Sequence, residues 1–166
     1  MPLFEPTLAT LNRAGVRYVV VGGVATVLQG FARMTADLDL IVDLSPGEAE
    51  KAIRALTGLG LRPRAPVPAE SFAAPEARKL WAETKGMTVF SMWNPSDPFI
   101  EVDLFLESPV AFDELWARSE VVELSTTRTR IASIPDLIAL KTLAGRPEDQ
   151  QDIEALQHIL RERGKR

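Results

Sequence analysis

Two aspartates stand one residue apart, Asp37 and Asp39, in the segment ADLDLIVD at 36–43. Leu38 and Leu40 alternate with polar positions, and this pattern predicts a β-strand with one buried face. Residues two apart on a strand point to the same side, so both carboxylates project from one face. Adjacent carboxylates ionise with difficulty unless a cation lies between them. The pattern therefore predicts a platform for a divalent metal ion.

A glycine pair precedes this strand at Gly22 and Gly23. The hydrophobic run at 19–21 predicts a strand that leads into the glycines, and residues 24–29 are typical of a short helix. Glycine allows a sharp turn and lets the phosphates of a ligand approach the main chain closely. An ordinary tight turn between a strand and a helix is the simpler alternative for an isolated glycine pair.

A third acid is available on a later predicted strand, in the segment IEVDLFL at 100–106. Glu101 and Asp103 share one face of that strand, and the apolar residues share the other. Chemistry that uses two magnesium ions needs several carboxylates to hold them. A solvated strand face is the alternative for either acid taken alone.

The residues VGG at 21–23 and DLDL at 37–40, separated by 13 residues from Val24 to Ala36, resemble the signature of the nucleotidyltransferase superfamily of DNA polymerase β-like folds. That signature has a hydrophobic residue, Gly, and Gly or Ser, followed after a spacer by Asp-hydrophobic-Asp/Glu-hydrophobic. Many members carry serine where this chain has Gly23. In this respect the Gly-Gly pair resembles the branch of the superfamily that includes abortive-infection and toxin–antitoxin nucleotidyltransferases, some of whose members also carry two glycines.

The resemblance implies a role for each acid and for the glycines. Asp37 and Asp39 would hold two Mg²⁺ or Mn²⁺ ions, and Asp103 would complete the site, with Glu101 as the substitute third ligand. Gly22 and Gly23 would place backbone N–H groups against the β- and γ-phosphates of the nucleotide.

Three further residues, Arg33, Thr35 and Lys141, stand in patterns that resemble the same branch. Arg33 and Thr35 precede the acids in the pattern Arg-x-Thr-x-Asp-hydrophobic-Asp, where the guanidinium could hold the triphosphate or pair with the carboxylates. A surface-loop arginine is an equal alternative. Lys141, on a predicted helix, could contact nucleotide phosphates as a point charge.

The segment RPEDQQD at 146–152 follows Lys141 and contains a further element of that branch, Arg-Pro-x-Asp-x-x-Asp. Asp149 and Asp152 could hold Lys141 or Arg146 in place, or Asp152 could line the site. For Asp149 we favour the simpler interpretation that an acid in the first turn complements the helix dipole.

The hydrophobic pattern over the whole chain predicts an α/β (α+β) fold, with a mixed β-sheet of about four to six strands flanked by helices. The predicted strands are 16–22, 37–43, 87–93, 99–106, 120–124 and 128–132, of which the third and fourth form an antiparallel hairpin. We expect a single nucleotidyltransferase-like domain over 1–166, with a core at about 1–132 and C-terminal helices at about 133–166.

Composition excludes several other kinds of site. The chain has no cysteine and one histidine, His158, so thiolate zinc sites, disulfides and multi-histidine metal sites are excluded, and a Ser-His-Asp triad is disfavoured. A net charge of −4 gives no overall attraction to nucleic acid, so an RNA substrate would have to meet a local patch. No apolar run approaches membrane-spanning length and the N-terminus is no signal peptide, so we expect a cytoplasmic protein without membrane contact.

These observations predict a metal-dependent nucleotidyltransferase that moves a nucleoside monophosphate from an NTP, such as ATP, onto a hydroxyl group. The resemblance implies RNA, with tRNA as one case, or a protein side chain as the acceptor, and a toxin–antitoxin or abortive-infection setting with a cognate antitoxin or other partner protein. The alternative is a non-catalytic nucleotide- or partner-binding module of the same fold. A haloacid dehalogenase-like phosphatase is disfavoured, because Ile41 stands where that motif requires Thr or Val.

Overall fold

A computed structural model describes residues 2–165. Within these residues the α-helices are α1 Glu5–Arg13, α2 Gly22–Leu28, α3 Pro46–Gly58, α4 Pro75–Lys85, α5 Phe112–Arg118, α6 Ile134–Ala144 and α7 Asp149–Arg163. A short 3₁₀ helix spans Ala69–Ala73. Proline occupies one of the first two positions of α1, α3, α4 and α6, where its missing N–H has no partner to lose.

The strands are β1 Tyr18–Val21, β2 Leu38–Val42, β3 Arg62–Pro63, β4 Val89–Asn94, β5 Asp97–Phe105, β6 Glu120–Glu123 and β7 Arg128–Ile131. They form one mixed sheet in the order β3-β4-β5-β2-β1-β7-β6. The predicted α/β fold is confirmed, and the sheet has seven strands instead of four to six. The unpredicted strand is β3, which lies in a proline-rich segment and pairs at the sheet edge, where Pro63 can be tolerated.

The centre of the sheet is formed by β1, β2 and β5. Strand β2 runs antiparallel to β1, with Val21 opposite Asp39, and parallel to β5, with Asp39 opposite Asp103. The predicted hairpin of β4 and β5 is present and antiparallel, with a bulge between Trp93 and Asn94. This topology brings β2, which carries Asp39 and is directly preceded by Asp37, against β5, which carries Asp103.

One face of the sheet is buried at its centre. Leu38 and Leu40 of β2 and Val102 and Leu104 of β5 are inaccessible to solvent, because they alternate with the acids and point to the opposite side. Beneath β4, Phe90 packs against Trp81 and Phe72 with ring centroids 5.1 and 5.4 Å away. These contacts anchor the helical layer of α3, α4 and the 3₁₀ helix, and they fix the strands that carry the acids.

The other face of the sheet is only partly covered. Helix α2 contacts β1, β2 and α6, and α6 packs against α7, so the C-terminal helices close one side of this face. The alternate residues of β5 at 99–105 remain at least partly exposed there. Among residues 2–165, no helix combines the length and the apolar character that a bilayer crossing requires.

Candidate active site

The three predicted aspartates lie together on the partly open face. Asp39 and Asp103 are directly opposed on parallel strands, and Asp37 stands one residue before β2. Ser91 of β4 is paired with Asp103 and continues the same row across the sheet. Adjacent strands in a sheet are separated by about 4.8 Å, so the paired positions place both carboxylates within reach of one small cation or of two neighbouring ones.

Gly22 is required beside this pair for two reasons. Its φ of +63° lies in the left-handed region that side chains disfavour. A Cβ atom at this position would also lie 2.1 Å from Oδ2 of Asp39. Glycine therefore allows the Asp39 carboxylate to lie directly against the backbone at the turn between β1 and α2.

Gly23 allows the loop that precedes the acids to pack closely against the turn between β1 and α2. A Cβ atom there would lie 2.4 Å from the Thr35 hydroxyl oxygen, so glycine makes room for that side chain. The Thr35 hydroxyl is also 3.4 Å from the backbone oxygen of Asp37, a long contact for a hydrogen bond. The predicted nucleotide-binding residue Thr35 is thus placed at the glycine turn, next to the first acid.

Crowding of the carboxylates changes their protonation. Burial, followed by the nearby charges of Asp103 and Asp37, raises the pKa of Asp39 to about 7. Burial is also the main cause that raises the pKa of Asp103. A hydrogen bond with the Ser91 side chain lowers this pKa, and the negative charges of Asp37 and Glu101 raise it further. The pKa of Asp37 is raised by burial and by Glu101. A set of acids that resists ionisation in this way favours a cation as its partner.

Two features of the acid cluster fit a divalent metal. Oδ1 of Asp103 is buried and has no hydrogen-bond partner within residues 2–165, so a lone-pair-bearing oxygen is left unsatisfied at the centre of the cluster. Carboxylate oxygens are the ligands that Mg²⁺ and Mn²⁺ prefer. As the side chains are placed, the part of the chain from 2 to 165 contains no group of three acidic or histidine side chains converged closely enough to hold a metal ion. The aspartates are therefore assembled by backbone register, and their side chains would have to turn inward to bind the ion.

A second group of charged residues lies beside the acids, and its lysine and two carboxylates are almost completely buried. Nζ of Lys141 on α6 is 2.7 Å from Oδ2 of Asp152 and 3.2 Å from Oδ1 of Asp149, both on α7. Arg33 also pairs with Asp152, and Nε of Arg146 lies 2.9 Å from Oδ2 of Asp149. Three cations thus share two carboxylates, which leaves a surplus of positive charge. We call these five residues the Lys141 network.

The Lys141 network extends the sequence prediction. The sequence predicts a contact between Lys141 and the nucleotide, and it leaves the partners of Asp149 and Asp152 open. The interpretation of Asp149 as a helix-end residue is incomplete, because its carboxylate is buried between Lys141 and Arg146. Burial opposes its ionisation, but the hydrogen bonds from Arg146 and Lys141 hold the pKa of Asp149 below its usual value.

A cavity of about 640 Å³ connects the two groups. Polar and charged groups in its lining come from Gly22, Asp39, Asp103, Lys141 and Arg146. Its apolar lining comes from α6, the segment that leads into β4 and the end of β5, and includes Leu137, Leu140, Met87, Val89 and Phe105. An apolar pocket with a few convergent polar groups is the usual form of a small-molecule site.

Two of the predicted site residues differ from the rest in their placement. Arg33 is more than one-third exposed as a whole residue and is turned toward Asp152, not toward the acids on β2. Glu101 lies on the same face as Asp103, but its carboxylate is taken by Arg64 at 2.7 Å. Sequence reasoning misses Arg64, because no local spacing connects an exposed arginine in a proline-rich loop with an acid on β5.

The structure is similar to solved structures of nucleotidyltransferases. The lincosamide antibiotic adenylyltransferase LnuA, in its lincomycin-bound crystal structure, has a TM-score of 0.63 at 14% identity, over 95% of this chain and 96% of LnuA. ANT(2")-Ia in complex with adenylyl-2"-tobramycin has a TM-score of 0.60 at 13% identity, over 96% and 88% of the two chains. An antigenic nucleotidyltransferase-like protein from Paracoccidioides brasiliensis has a TM-score of 0.58 at 14% identity, over 95% and 73%.

The sequence itself matches no protein-family model, and a search of curated proteins gives no significant match. The structural similarity at such low identity concerns the fold. The chain therefore has the nucleotidyltransferase fold, as the glycine pair and the two aspartates at 37 and 39 predict.

Proposed function

We propose that this chain is a metal-dependent nucleotidyltransferase that moves a nucleoside monophosphate from an NTP onto a hydroxyl group. The observation that carries the proposal is the pairing of Asp39 with Asp103 on adjacent strands, with Asp37 beside them and Gly22 against the Asp39 carboxylate. An acid cluster with a raised pKa and an unsatisfied buried oxygen favours a cation, and Gly22 at the neighbouring turn lines the same cavity as Asp39 and Asp103.

Asp37, Asp39 and Asp103 are the residues that would hold Mg²⁺ or Mn²⁺. When bound, the metal would neutralise charge on the triphosphate and lower the pKa of the attacking hydroxyl. The protein would contribute the register of β2 and β5, which pairs Asp39 with Asp103, and Asp37 directly precedes β2.

The cavity at the acid cluster suits the nucleotide. Gly22 presents backbone without a side chain, and Lys141 and Arg146 supply positive charge in the same cavity. The triphosphate would lie against these residues, with the β- and γ-phosphates at Gly22 and Gly23. The base and ribose would contact the apolar lining, which includes Leu137 and Leu140.

The proposed transfer needs only the NTP and the acceptor hydroxyl as reactants. The acceptor oxygen forms a bond to the α-phosphorus, and the bond from that phosphorus to the bridging oxygen of pyrophosphate breaks with its electron pair. The proton of the acceptor hydroxyl passes to Asp103, whose buried Oδ1 has no hydrogen-bond partner within 2–165, and then to water. Lys141 and Arg146 line the cavity and would stabilise the negative charge that develops on the leaving pyrophosphate.

Several acceptors are compatible with this chemistry. RNA, including tRNA, and a protein side chain follow from the resemblance of the sequence. A small-molecule hydroxyl is the second candidate, since LnuA was solved with lincomycin and ANT(2")-Ia with an adenylylated tobramycin. A toxin–antitoxin or abortive-infection setting with a partner protein rests on the sequence patterns at Gly23, around Arg33 and Thr35, and at 146–152, and it stays a prediction.

The proposal is tested by label transfer from each α-labelled ribonucleoside triphosphate, with Mg²⁺ or Mn²⁺, onto total RNA, a protein extract and a small-molecule extract. Wild type is compared with Asp37→Ala/Asp39→Ala and with Asp113→Asn, a matched control whose side chain is 86% exposed. We expect metal-dependent labelling by wild type and the control, and none by the double variant. Metal-dependent NTP binding without any transfer would favour the non-catalytic binding module, and loss of both would contradict the proposal.

A further inference from the structure

The partly open face of the sheet extends past the acid cluster, away from the cavity. On β5, alternate residues share this face: Phe105 borders the cavity, Asp103 carries the central carboxylate, and Glu101 and Phe99 follow on the far side. Trp93 of β4 is paired with Glu101 and so shares the face with it. The sheet therefore presents a surface on the side of the aspartates opposite the cavity.

Arg64 is fixed on this surface by two contacts. Its Nη2 lies 2.7 Å from Oε2 of Glu101, and its guanidinium carbon lies 4.5 Å from the centroid of the Trp93 ring. The backbone N–H of Arg64 donates to the carbonyl of Ser91 at 2.9 Å, which ties the loop after β3 to β4. The guanidinium is thus held over an aromatic ring, and almost half of its side chain remains accessible.

Large apolar side chains are exposed at the rim of the same surface. Phe99 is 77% exposed and Met34 is 94% exposed. Phe99 stands two residues before Glu101 on β5, and Met34 lies in the loop that leads into β2. Because β2 and β5 are parallel and in register from Leu38 and Val102 onward, the segments that precede them emerge at the same end of the sheet. Two large apolar side chains are therefore exposed at this end of the sheet.

The in-line geometry of phosphoryl transfer determines which of the two substrates can bind at this surface. In phosphoryl transfer the attacking and leaving oxygens lie roughly in line, on opposite sides of the phosphorus. The leaving pyrophosphate is assigned to Gly22, Lys141 and Arg146. Gly22 follows β1 and so lies on the β1 side of Asp39 and Asp103, whereas Trp93 and Arg64 lie on the β4 side of the same sheet. The acceptor hydroxyl must then arrive from the side of Glu101 and Arg64. This step rests on the proposed function.

We propose that Arg64, Trp93, Glu101 and Phe99 form an acceptor platform, and that its occupant is the hydroxyl-bearing end of a single-stranded nucleic acid. Guanidinium groups bind phosphate in a bidentate manner, and aromatic rings stack on bases of any sequence. Arg62, which is exposed and paired with Trp93, adds a second cation on the same face. Glu101 is placed to accept a hydrogen bond from a ribose hydroxyl once Arg64 turns to the phosphate.

The open shape of the platform favours a strand end over a small molecule. Drug-sized ligands bind in concave sites that bury most of their surface, and the cavity that provides such a site here is assigned to the nucleotide. A polymer can instead lie across an open sheet face with few contacts per nucleotide. With a net charge of −4 on the chain, attraction must come from the local cations Arg62 and Arg64. The salt dependence of binding should therefore be shallow, with a slope of about −1.4 for two phosphate contacts to a single strand.

The platform is tested with a short fluorescein-labelled oligoribonucleotide and its DNA counterpart. Binding is measured by anisotropy as a function of salt, and transfer from an α-labelled NTP is measured as a function of oligonucleotide concentration. The variants are Arg64→Gln and Phe99→Ser. Their matched controls on α3 and α4 are Arg54→Gln, with a side chain 79% exposed, and Leu80→Ser, 56% exposed.

We expect wild type and both controls to bind the RNA and extend it with the same KM. Phe99→Ser should raise the acceptor KM about tenfold, as expected for loss of one stacked base, with kcat little changed. Arg64→Gln should do the same and should also reduce the salt slope by about 0.7.

Three results would overturn the platform, and they differ in their consequences. Equal KM values in the platform variants and the controls would show that the strand lies elsewhere. Transfer to a protein or a small molecule with none to either oligonucleotide would overturn the nucleic-acid acceptor and leave the proposed function intact. Absence of both metal-dependent NTP binding and any transfer in wild type would overturn the proposed function, and the platform with it.

Discussion

Asp39 and Asp103 occupy directly opposed positions on the neighbouring parallel strands β2 and β5, with their carboxylates on one partly open face. This arrangement is unfavourable on its own, because like charges in a partly buried site resist ionisation. The sequence pattern nevertheless places a third aspartate, Asp37, beside them. A cation would stabilise a fold that brings three such acids together, and the proposed metal-dependent chemistry rests on this relationship.

The stability of the metal-free protein should depend on pH through Asp39. Its pKa is raised from 3.8 to about 7 in the folded state, so the folded protein binds this proton more tightly than the unfolded chain does. The free energy of unfolding should therefore fall as the pH rises from about 4 to about 7 and should stay low above that. The loss from this group is at most about 4 kcal/mol, because each tenfold change in proton affinity corresponds to about 1.4 kcal/mol.

Urea unfolding in a chelator across this pH range measures the effect. Asp39→Asn removes the ionisable group, so its unfolding free energy should vary less with pH and should exceed that of wild type at pH values above about 7. Addition of Mn²⁺ should stabilise wild type at alkaline pH and leave the variant almost unchanged. A pH profile of Asp39→Asn that coincides with that of wild type would show that Asp39 ionises normally in the folded protein.

Gly22→Ala should damage the site more than a comparable change elsewhere. The substitution places Cβ at a φ of +63° and within 2.1 Å of the Asp39 carboxylate. Gly15 offers a matched control, since its φ is +67° and nothing lies within 4 Å of an added Cβ. We expect Gly15→Ala to lower the unfolding free energy by about 1 kcal/mol through backbone strain alone. Gly22→Ala should lower it further and should weaken metal binding, which Gly15→Ala should leave intact.

Calorimetric titration with Mn²⁺ and urea unfolding of both variants separate these effects. Equal losses of stability for Gly15→Ala and Gly22→Ala, with metal binding preserved in both, would mean that the contact between Gly22 and Asp39 has no influence on the acid cluster.

Lys141 should contribute both to the stability of the fold and to NTP binding, and these two contributions can be measured separately. Removal of its charge in Lys141→Met leaves Asp149 and Asp152 buried with fewer partners, and this should cost about 3 kcal/mol of unfolding free energy. It should also weaken NTP binding about tenfold or more, since the ammonium lines the cavity beside Gly22. In Lys141→Met/Asp152→Asn one of the two carboxylates is neutralised, so part of the stability should return.

Nucleotide affinity should not return in the double variant, because the neutral amide introduced on α7 supplies no positive charge to the phosphates. Unfolding in urea and NTP binding by calorimetry, both on single and double variants, form the test. Recovery of NTP affinity together with stability would show that Lys141 acts only as a structural partner of the α7 aspartates.

The elements that could be predicted from the sequence are those that local spacing determines. Asp37 and Asp39 share a strand face, Gly22 and Gly23 follow a buried strand, and the hairpin of β4 and β5 brackets a turn rich in proline and polar residues. All of these depend on neighbours a few residues apart. The third acid is also predictable, because Asp103 repeats the alternation of acid and apolar residues that marks Asp39.

The parts that could not be predicted depend on contacts between distant segments. Arg33 meets Asp152 across most of the chain length, and Arg64 meets Glu101 from a proline-rich loop. Strand β3 has two residues, too few for any periodicity, and it exists only because the edge of β4 offers partners. The position of Asp149 in the first turn of α7 can be read from the local sequence. Its burial cannot, because it results from the packing of α6 on α7.

The most direct test of the central claim is Mn²⁺ binding measured by electron paramagnetic resonance in the presence of an NTP. The proteins are wild type, Asp39→Asn, Asp103→Asn and the exposed control Asp113→Asn. We predict that wild type and Asp113→Asn bind Mn²⁺ with the same affinity, and that each of the other two variants binds it about tenfold or more weakly, since a carboxylate ligand becomes a neutral amide. Equal Mn²⁺ affinity in all of these proteins would contradict a metal site built from the paired aspartates of β2 and β5.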